Sequence, residues 1–200
     1  MQRLRDLALE VLNEYQLLSQ EFGSYQKIAG LNCVEGCGAC CNNPQVEASV
    51  LEMLPLALHL FDTGKAEAYL QQMQDGGGFA CHLFQRHSLD GIKGACTVYE
   101  WRPGICRMFG VAGYRTKTDQ PTLSVCATIK ASKPHKFADA LIAMSTSAPP
   151  MLSHGRQRIA KIDYALGEKL MPINEALVAA LEKVLTQAAY SALDDGNVAA

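Results

Sequence analysis

Four cysteines fall within nine positions, Cys33-Val-Glu-Gly-Cys37-Gly-Ala-Cys40-Cys41, and four more follow at Cys81, Cys96, Cys106 and Cys126. Thiolates bind zinc and the iron of iron–sulfur clusters, because both accept soft, charged ligands. Gly36 and Gly38 let the backbone turn tightly enough for the first four sulfurs to face one ion. Buried structural cysteines are the plain alternative. They fit poorly, since adjacent Cys40 and Cys41 cannot both point into one apolar core from a regular element.

Taken singly, each dispersed cysteine reads as a buried side chain. Cys106 is the exception. It follows Arg102-Pro103-Gly104-Ile105 and precedes Arg107. Proline at a helix start would hold Cys106 near the amide-rich end of a short helix, where the dipole and two cations lower a thiol's pKa. A ligand and a reactive thiol suit that setting equally. Arg102 and Arg107 are expected to neutralise anionic sulfur, since uncompensated buried charge is costly. Surface salt bridging is the alternative for both.

Cys33-x3-Cys37-x2-Cys40-Cys41, then Cys81-His82-Leu83, then Cys96-Thr-Val-Tyr-Glu-Trp-Arg-Pro-Gly-Ile-Cys106-Arg107, with Cys126 further on, resembles the YkgJ-type cysteine-cluster family. That family is described as a zinc- or iron-chelating domain and also occurs in flagellin lysine N-methylase. The resemblance covers Cys33 to Cys126. It implies that all eight cysteines belong to one metal-binding set, and it assigns no reaction. The C-x3-C-x2-C stretch also resembles the radical S-adenosylmethionine motif, but Gly38 and Ala39 stand where an aromatic is usual.

The metal itself is less clearly written. Two tetrahedral zinc sites would use eight thiolates, yet zinc recruits paired C-x2-C knuckles and only Cys37–Cys40 forms one. The scatter of the second four puts an iron–sulfur cluster ahead of zinc. Three classes stay open: a structural or redox metal protein, a metal-dependent enzyme acting on a protein or small molecule, and a metal-stabilised interaction module. His59, His82, His87, His135 and His154 follow no metal-site spacing. Gly76-Gly77-Gly78 lacks a phosphate-loop lysine and a preceding strand.

Composition narrows the field further. Eighteen Lys and Arg against twenty Asp and Glu give a net charge of −2, too neutral for nucleic acid or an acidic membrane as main partner. Aromatics make up only 7%, which argues against a base-stacking surface. The N-terminal residues mix charges with leucines, and the most apolar window, Val50–Phe61, is interrupted and short. A cytoplasmic setting with reduced thiols is therefore expected, which makes a disulfide framework the minority reading. The metal ion is the one partner the sequence indicates.

The elements that must position these residues read as mostly α. Leu4, Leu7, Val11, Tyr15, Leu18 and Phe22 recur at helical spacing, with Gly30 as the stop. A cysteine-rich loop runs to Pro44. Gln45–Phe61 is expected to be helical with a kink or break at Pro55, and a second helix is expected from an Asp62 cap to Gln74, ended by the glycine run. Thr97–Tyr99 reads as extended, and a short helix begins at Pro103. Lys136–Met144, Arg156–Leu170 and Pro172–Leu193 complete the pattern. The expectation is one domain, 1–200: an irregular cysteine-rich centre at 30–130, flanked by helices, with C-terminal helices over 134–193.

Overall fold

The computed structural model describes residues 1–43, 46–76, 78 and 80–197. Helix α1, Gln2–Ala29, buries Leu4, Leu7, Val11, Tyr15, Leu18 and Phe22 along one face. Gly30 ends it in the left-handed region, at φ 66°, with its N–H turned back to the Gln26 and Lys27 carbonyls. A two-residue strand β1, Glu47–Ala48, leads into α2, Val50–Asp62. The expected helix start at Gln45 lies outside the described residues. At 47–48 the chain is extended, because the helix begins only after Ser49.

Ser49 closes a capping box: its hydroxyl accepts from the Glu52 N–H at 3.2 Å, and the Glu52 carboxylate accepts from the Ser49 N–H at 2.9 Å. Pro55 does not break α2. Its neighbours Leu51, Met53, Leu54 and Leu56 are fully buried, and that packing outweighs one lost backbone hydrogen bond. Asp62 caps nothing; it ends α2 and pairs with Arg5 at 2.6 Å, and α3 begins later, as Ala66–Asp75. Gly76 follows α3 as its cap, while Gly77 of the glycine run lies outside the described residues.

The middle of the chain holds two hairpins. Strands β2, Phe84–Arg86, and β3, Gly94–Cys96, pair antiparallel with Phe84 opposite Cys96. Extension ends there, because Tyr99–Trp101 form a 3-10 turn rather than a strand. Helix α4, Gly104–Met108, follows Pro103 as expected. Strands β4, Val111–Arg115, and β5, Pro121–Val125, form a hairpin that the sequence reading does not anticipate.

Then come α5 (Ala127–Ser132), α6 (Pro134–Ile142), α7 (Leu152–Ala160), α8 (Tyr164–Gly167), β6 (Met171–Pro172) and α9 (Ile173–Asn197). The single helix expected over Arg156–Leu170 is split, because Asp163 caps α8 by accepting from the Leu166 N–H at 3.1 Å. Strand β6 pairs antiparallel with β1 and ties the C-terminal segment to the start of α2.

Helix α2 packs most extensively on α9 and then on α1. Leu51, Leu54 and Leu56 share one buried cluster with Tyr15, Leu177, Leu181 and Val184. A second, smaller core gathers Tyr25, Leu31, Val111, Leu123, Ile129 and Ala140 beneath the β4–β5 hairpin. The fold is mostly α, with small two-stranded sheets, and most of the cysteines sit on its irregular segments, Cys96 and Cys106 excepted. Among the described residues, no helix is long and apolar enough to cross a membrane.

Candidate metal centre

The loop that carries the first four cysteines is fastened to the β2–β3 hairpin. The Gly38 N–H donates to the Ile92 carbonyl, the Gly94 N–H donates to the Gly36 carbonyl at 2.9 Å, and Cys37 forms a β-bridge with Lys93. Gly36 turns the chain at φ 69°. Gly38 is needed for space: a Cβ there would stand 2.1 Å from Phe84 Cζ, and one at Gly94 would stand 2.3 Å from Phe84 Cε2. The Phe84 ring thus fills a slot floored by two glycines. Further along, the Cys81 N–H donates to the Cys41 carbonyl at 2.8 Å. These ties bring sulfurs from distant stretches of chain to one place.

Cys96 ends β3, Cys106 lies on α4, and Cys126 precedes α5 with its N–H on the Gly110 carbonyl at 2.8 Å. Cys40, Cys41, Cys81 and Cys106 line one small cavity of about 20 Å³, closed by Val46, Ile105, Phe109 and Ile173. Cys96 stands within electrostatic reach of Cys40, Cys81 and Cys106. Of the others, Cys33 is exposed and lies within electrostatic reach of Cys37, Cys40 and Cys126, which are half-buried. All eight thiols are free. Among the described residues, no three His, Cys, Asp or Glu side chains are already gathered tightly enough to hold a metal ion.

Electrostatics orders the inner sulfurs. The Cys41 thiol hydrogen-bonds to Cys40, which lowers the Cys40 pKa, and Arg102 adds to this. The same bond, burial and the neighbouring sulfurs push Cys41 up. Burial raises Cys81 to about 11. It also raises Cys33 and Cys96. Cys106 corrects the sequence expectation: burial first, then Cys81, Cys40 and Cys96, push its pKa well up rather than down, and Arg102 only moderates this. A five-residue helix offers too little dipole to offset the loss of water.

The two arginines have separate roles. Arg107 donates to the backbone carbonyls of Glu100 and Arg102 and to Ser19 Oγ, and lies over the Tyr15 ring at 4.6 Å. No sulfur is among its hydrogen-bond acceptors. Arg102 lies over the Tyr99 ring at 3.7 Å and lowers the pKa of Cys40, Cys96 and Cys106. Its Nε is buried with no hydrogen-bond partner among the described residues. His59 stacks on Trp101 at 4.4 Å, His82 meets Tyr69 edge-on at 6.1 Å, and no histidine lines the sulfur cavity.

The donor set suits a thiophilic ion. Cys40 Sγ and Cys41 Sγ are 4.0 Å apart, and two sulfurs at about 2.3 Å from one tetrahedral ion are about 3.8 Å apart. An orphaned, buried guanidinium N–H beside several sulfurs is what anionic thiolates require as a donor. Two participants escaped the sequence reading. Phe84 shows no local signal. Glu52 did: Ser49-x-x-Glu52 before an apolar run is a capping box.

A helical scaffold whose irregular centre gathers sulfur from well-separated segments defines a cysteine-cluster protein. Residues 32–127 match the family model CxxCxxCC, described as "Putative zinc- or iron-chelating domain", which is the cysteine-cluster family that the sequence resembles. No curated protein and no solved structure matches the chain.

Proposed function

We propose that the protein holds a zinc or iron ion through Cys40, Cys41, Cys81 and Cys106, with Cys96 as the adjacent fifth thiolate, and that the ion's role is structural. Cys33, Cys37 and Cys126 form an outer group that shares Cys40 and supports a second, more exposed site. The observation that carries this reading is the cavity of about 20 Å³ bordered by four sulfurs. Four sulfurs around one small cavity are the number that a single tetrahedral ion takes, and this supports a single ion ahead of the iron–sulfur cluster that ligand scatter suggests. The sulfurs close inward on binding, and binding energy is then folding energy for these loops.

When bound, the ion supplies Lewis-acid charge that keeps its thiolates deprotonated. The chain's own residues set the rest: Arg102 offsets negative sulfur, and the Cys81 N–H bond to Cys41 holds two ligand segments together. The test is anaerobic purification with metal and sulfide analysis. Stoichiometric zinc or iron without acid-labile sulfide is expected. Labile sulfide would replace the single ion with a cluster; a reduced protein that takes up neither zinc nor cobalt would sink the reading.

One feature favours an enzymatic variant. A cleft of about 740 Å³, bordered by Arg156, Leu123 and Cys126, shares Val46, Ile105 and Phe109 with the sulfur cavity. That volume suits a small molecule. If the cobalt-loaded protein changes its visible spectrum on adding azide, a coordination position is open toward ligands; an unchanged spectrum leaves the structural role alone.

A further inference from the structure

Glu52 is a buried carboxylate, 3% exposed, that the metal reading does not use. One of its oxygens, Oε2, accepts from the Ser49 N–H at 2.9 Å and from the Ser49 hydroxyl at 3.2 Å. The other, Oε1, accepts from the Ile105 N–H at 3.2 Å, across 53 residues of sequence. That N–H is one of the unsatisfied donors in the first turn of α4. Pro103 precedes α4 and provides no side-chain cap of its own. The residue after Ile105 is Cys106.

The surroundings leave little freedom. A Cβ on Gly104 would stand 2.4 Å from Ile159 Cδ1 and 3.1 Å from Glu52 Oε1, so α4 can approach this closely only through glycine. The Tyr15 hydroxyl donates to the Glu52 carbonyl at 2.6 Å and fixes the backbone behind the side chain. A capping box needs only Glu or Gln. Burying a full carboxylate is explained by its second oxygen, which serves a different helix.

We propose that Glu52 is a positioning residue for Cys106: one carboxylate caps both α2 and α4, and so fixes where the Cys106 sulfur stands. The purpose of that positioning rests on the metal reading, while the hydrogen bond does not. Glu52→Gln is the discriminating variant. Its amide keeps one acceptor oxygen for Ser49 and cannot also accept from Ile105.

The full-length, reduced, metal-free protein is treated with iodoacetamide and alkylation is read cysteine by cysteine. In folded Glu52→Gln, Cys106 should react roughly tenfold faster than in wild type, the effect of losing one hydrogen bond to a charged acceptor, with Cys81 unchanged. On cobalt titration the affinity should fall roughly ten- to a hundred-fold and the sulfur-to-cobalt band should weaken. Adding Glu52→Gln to Cys106→Ser should weaken cobalt binding no further than Cys106→Ser alone. An unchanged Cys106 rate in a folded variant overturns the proposal. Should the variant not fold, amide exchange in wild type decides: Ile105 is expected to exchange slowly, and exchange at the rate of an open amide overturns it. Failure of wild type to bind cobalt would sink the metal reading alone, because alkylation and exchange still test the positioning.

Discussion

The Arg107 guanidinium is committed to two backbone carbonyls, the Ser19 hydroxyl and the Tyr15 ring. Arg107→Ala should therefore loosen the turn between Glu100 and Cys106 and cost about 2–3 kcal/mol in thermal or denaturant unfolding. Arg102→Ala removes the cation that moderates Cys40, Cys96 and Cys106. Its expected signature is the reverse: a melting point within a few degrees of wild type, and metal affinity down roughly ten- to a hundred-fold by competition with a chelator.

Acidity at this scale gives a second test. Cys81 titrates near 11 in the fold because of burial, against about 8.5–9 in an unfolded chain. The folded state then holds a proton that the unfolded state has released. Its contribution is fully present below about pH 9 and is lost as pH rises through about 11. Melts of the metal-free, reduced protein should fall across that window, and the metal-loaded protein should stay flat, since its thiolates are already deprotonated. The cysteines were legible as residue types at a telling spacing. The direction of the Cys106 shift was not, because desolvation depends on which distant segments cover a thiol.

The cysteine loop is positioned by the β2–β3 hairpin rather than by any conformational preference of its own. Gly38→Ala would drive a methyl into the Phe84 ring. It should cost about 1–3 kcal/mol and release the loop, with Gly38→Ala/Phe84→Leu recovering part of the loss, as read by protease sensitivity of residues 33–43. Element by element, legibility followed local chemistry. Helix α1 was readable from its apolar period and Gly30, and α4 from Pro103. The break before α8 was signalled by Asp163 but hidden by a continuous helical period. The β4–β5 hairpin was missed because its turn, Thr116–Gln120, lacks an Asn-Gly pair and places Asp119 at φ 60°.

Most of the apolar cluster that supports the centre is built from segments without cysteine. Helix α9 lies beyond the family-matched stretch, yet it is the principal packing partner of α2, and Leu177, Leu181 and Val184 are buried there. Truncation before Ile173 should therefore give an insoluble or unfolded product, because α2 would expose a face of leucines. Removing metal with a chelator should instead leave most far-UV helical signal in place while the cysteine-rich centre becomes sensitive to protease. At this scale the sequence showed a helical class and an irregular centre. It could not show that β1 and β6 join across the chain, because two-residue strands carry no periodicity.

Trp101 is the chain's one tryptophan, and it belongs to the 3-10 turn between Cys96 and Cys106, with its indole stacked on the His59 imidazole at an interplanar angle of 18°. His59 rides on α2, in the helical scaffold; Trp101 rides on the segment that presents the sulfurs. The stack therefore bridges the helical scaffold and the segment that, on the proposed metal reading, closes on the ion. Selective excitation of that indole gives the protein an intrinsic optical gauge of its own centre, usable without labels, chromophoric metals or spectroscopic substitution.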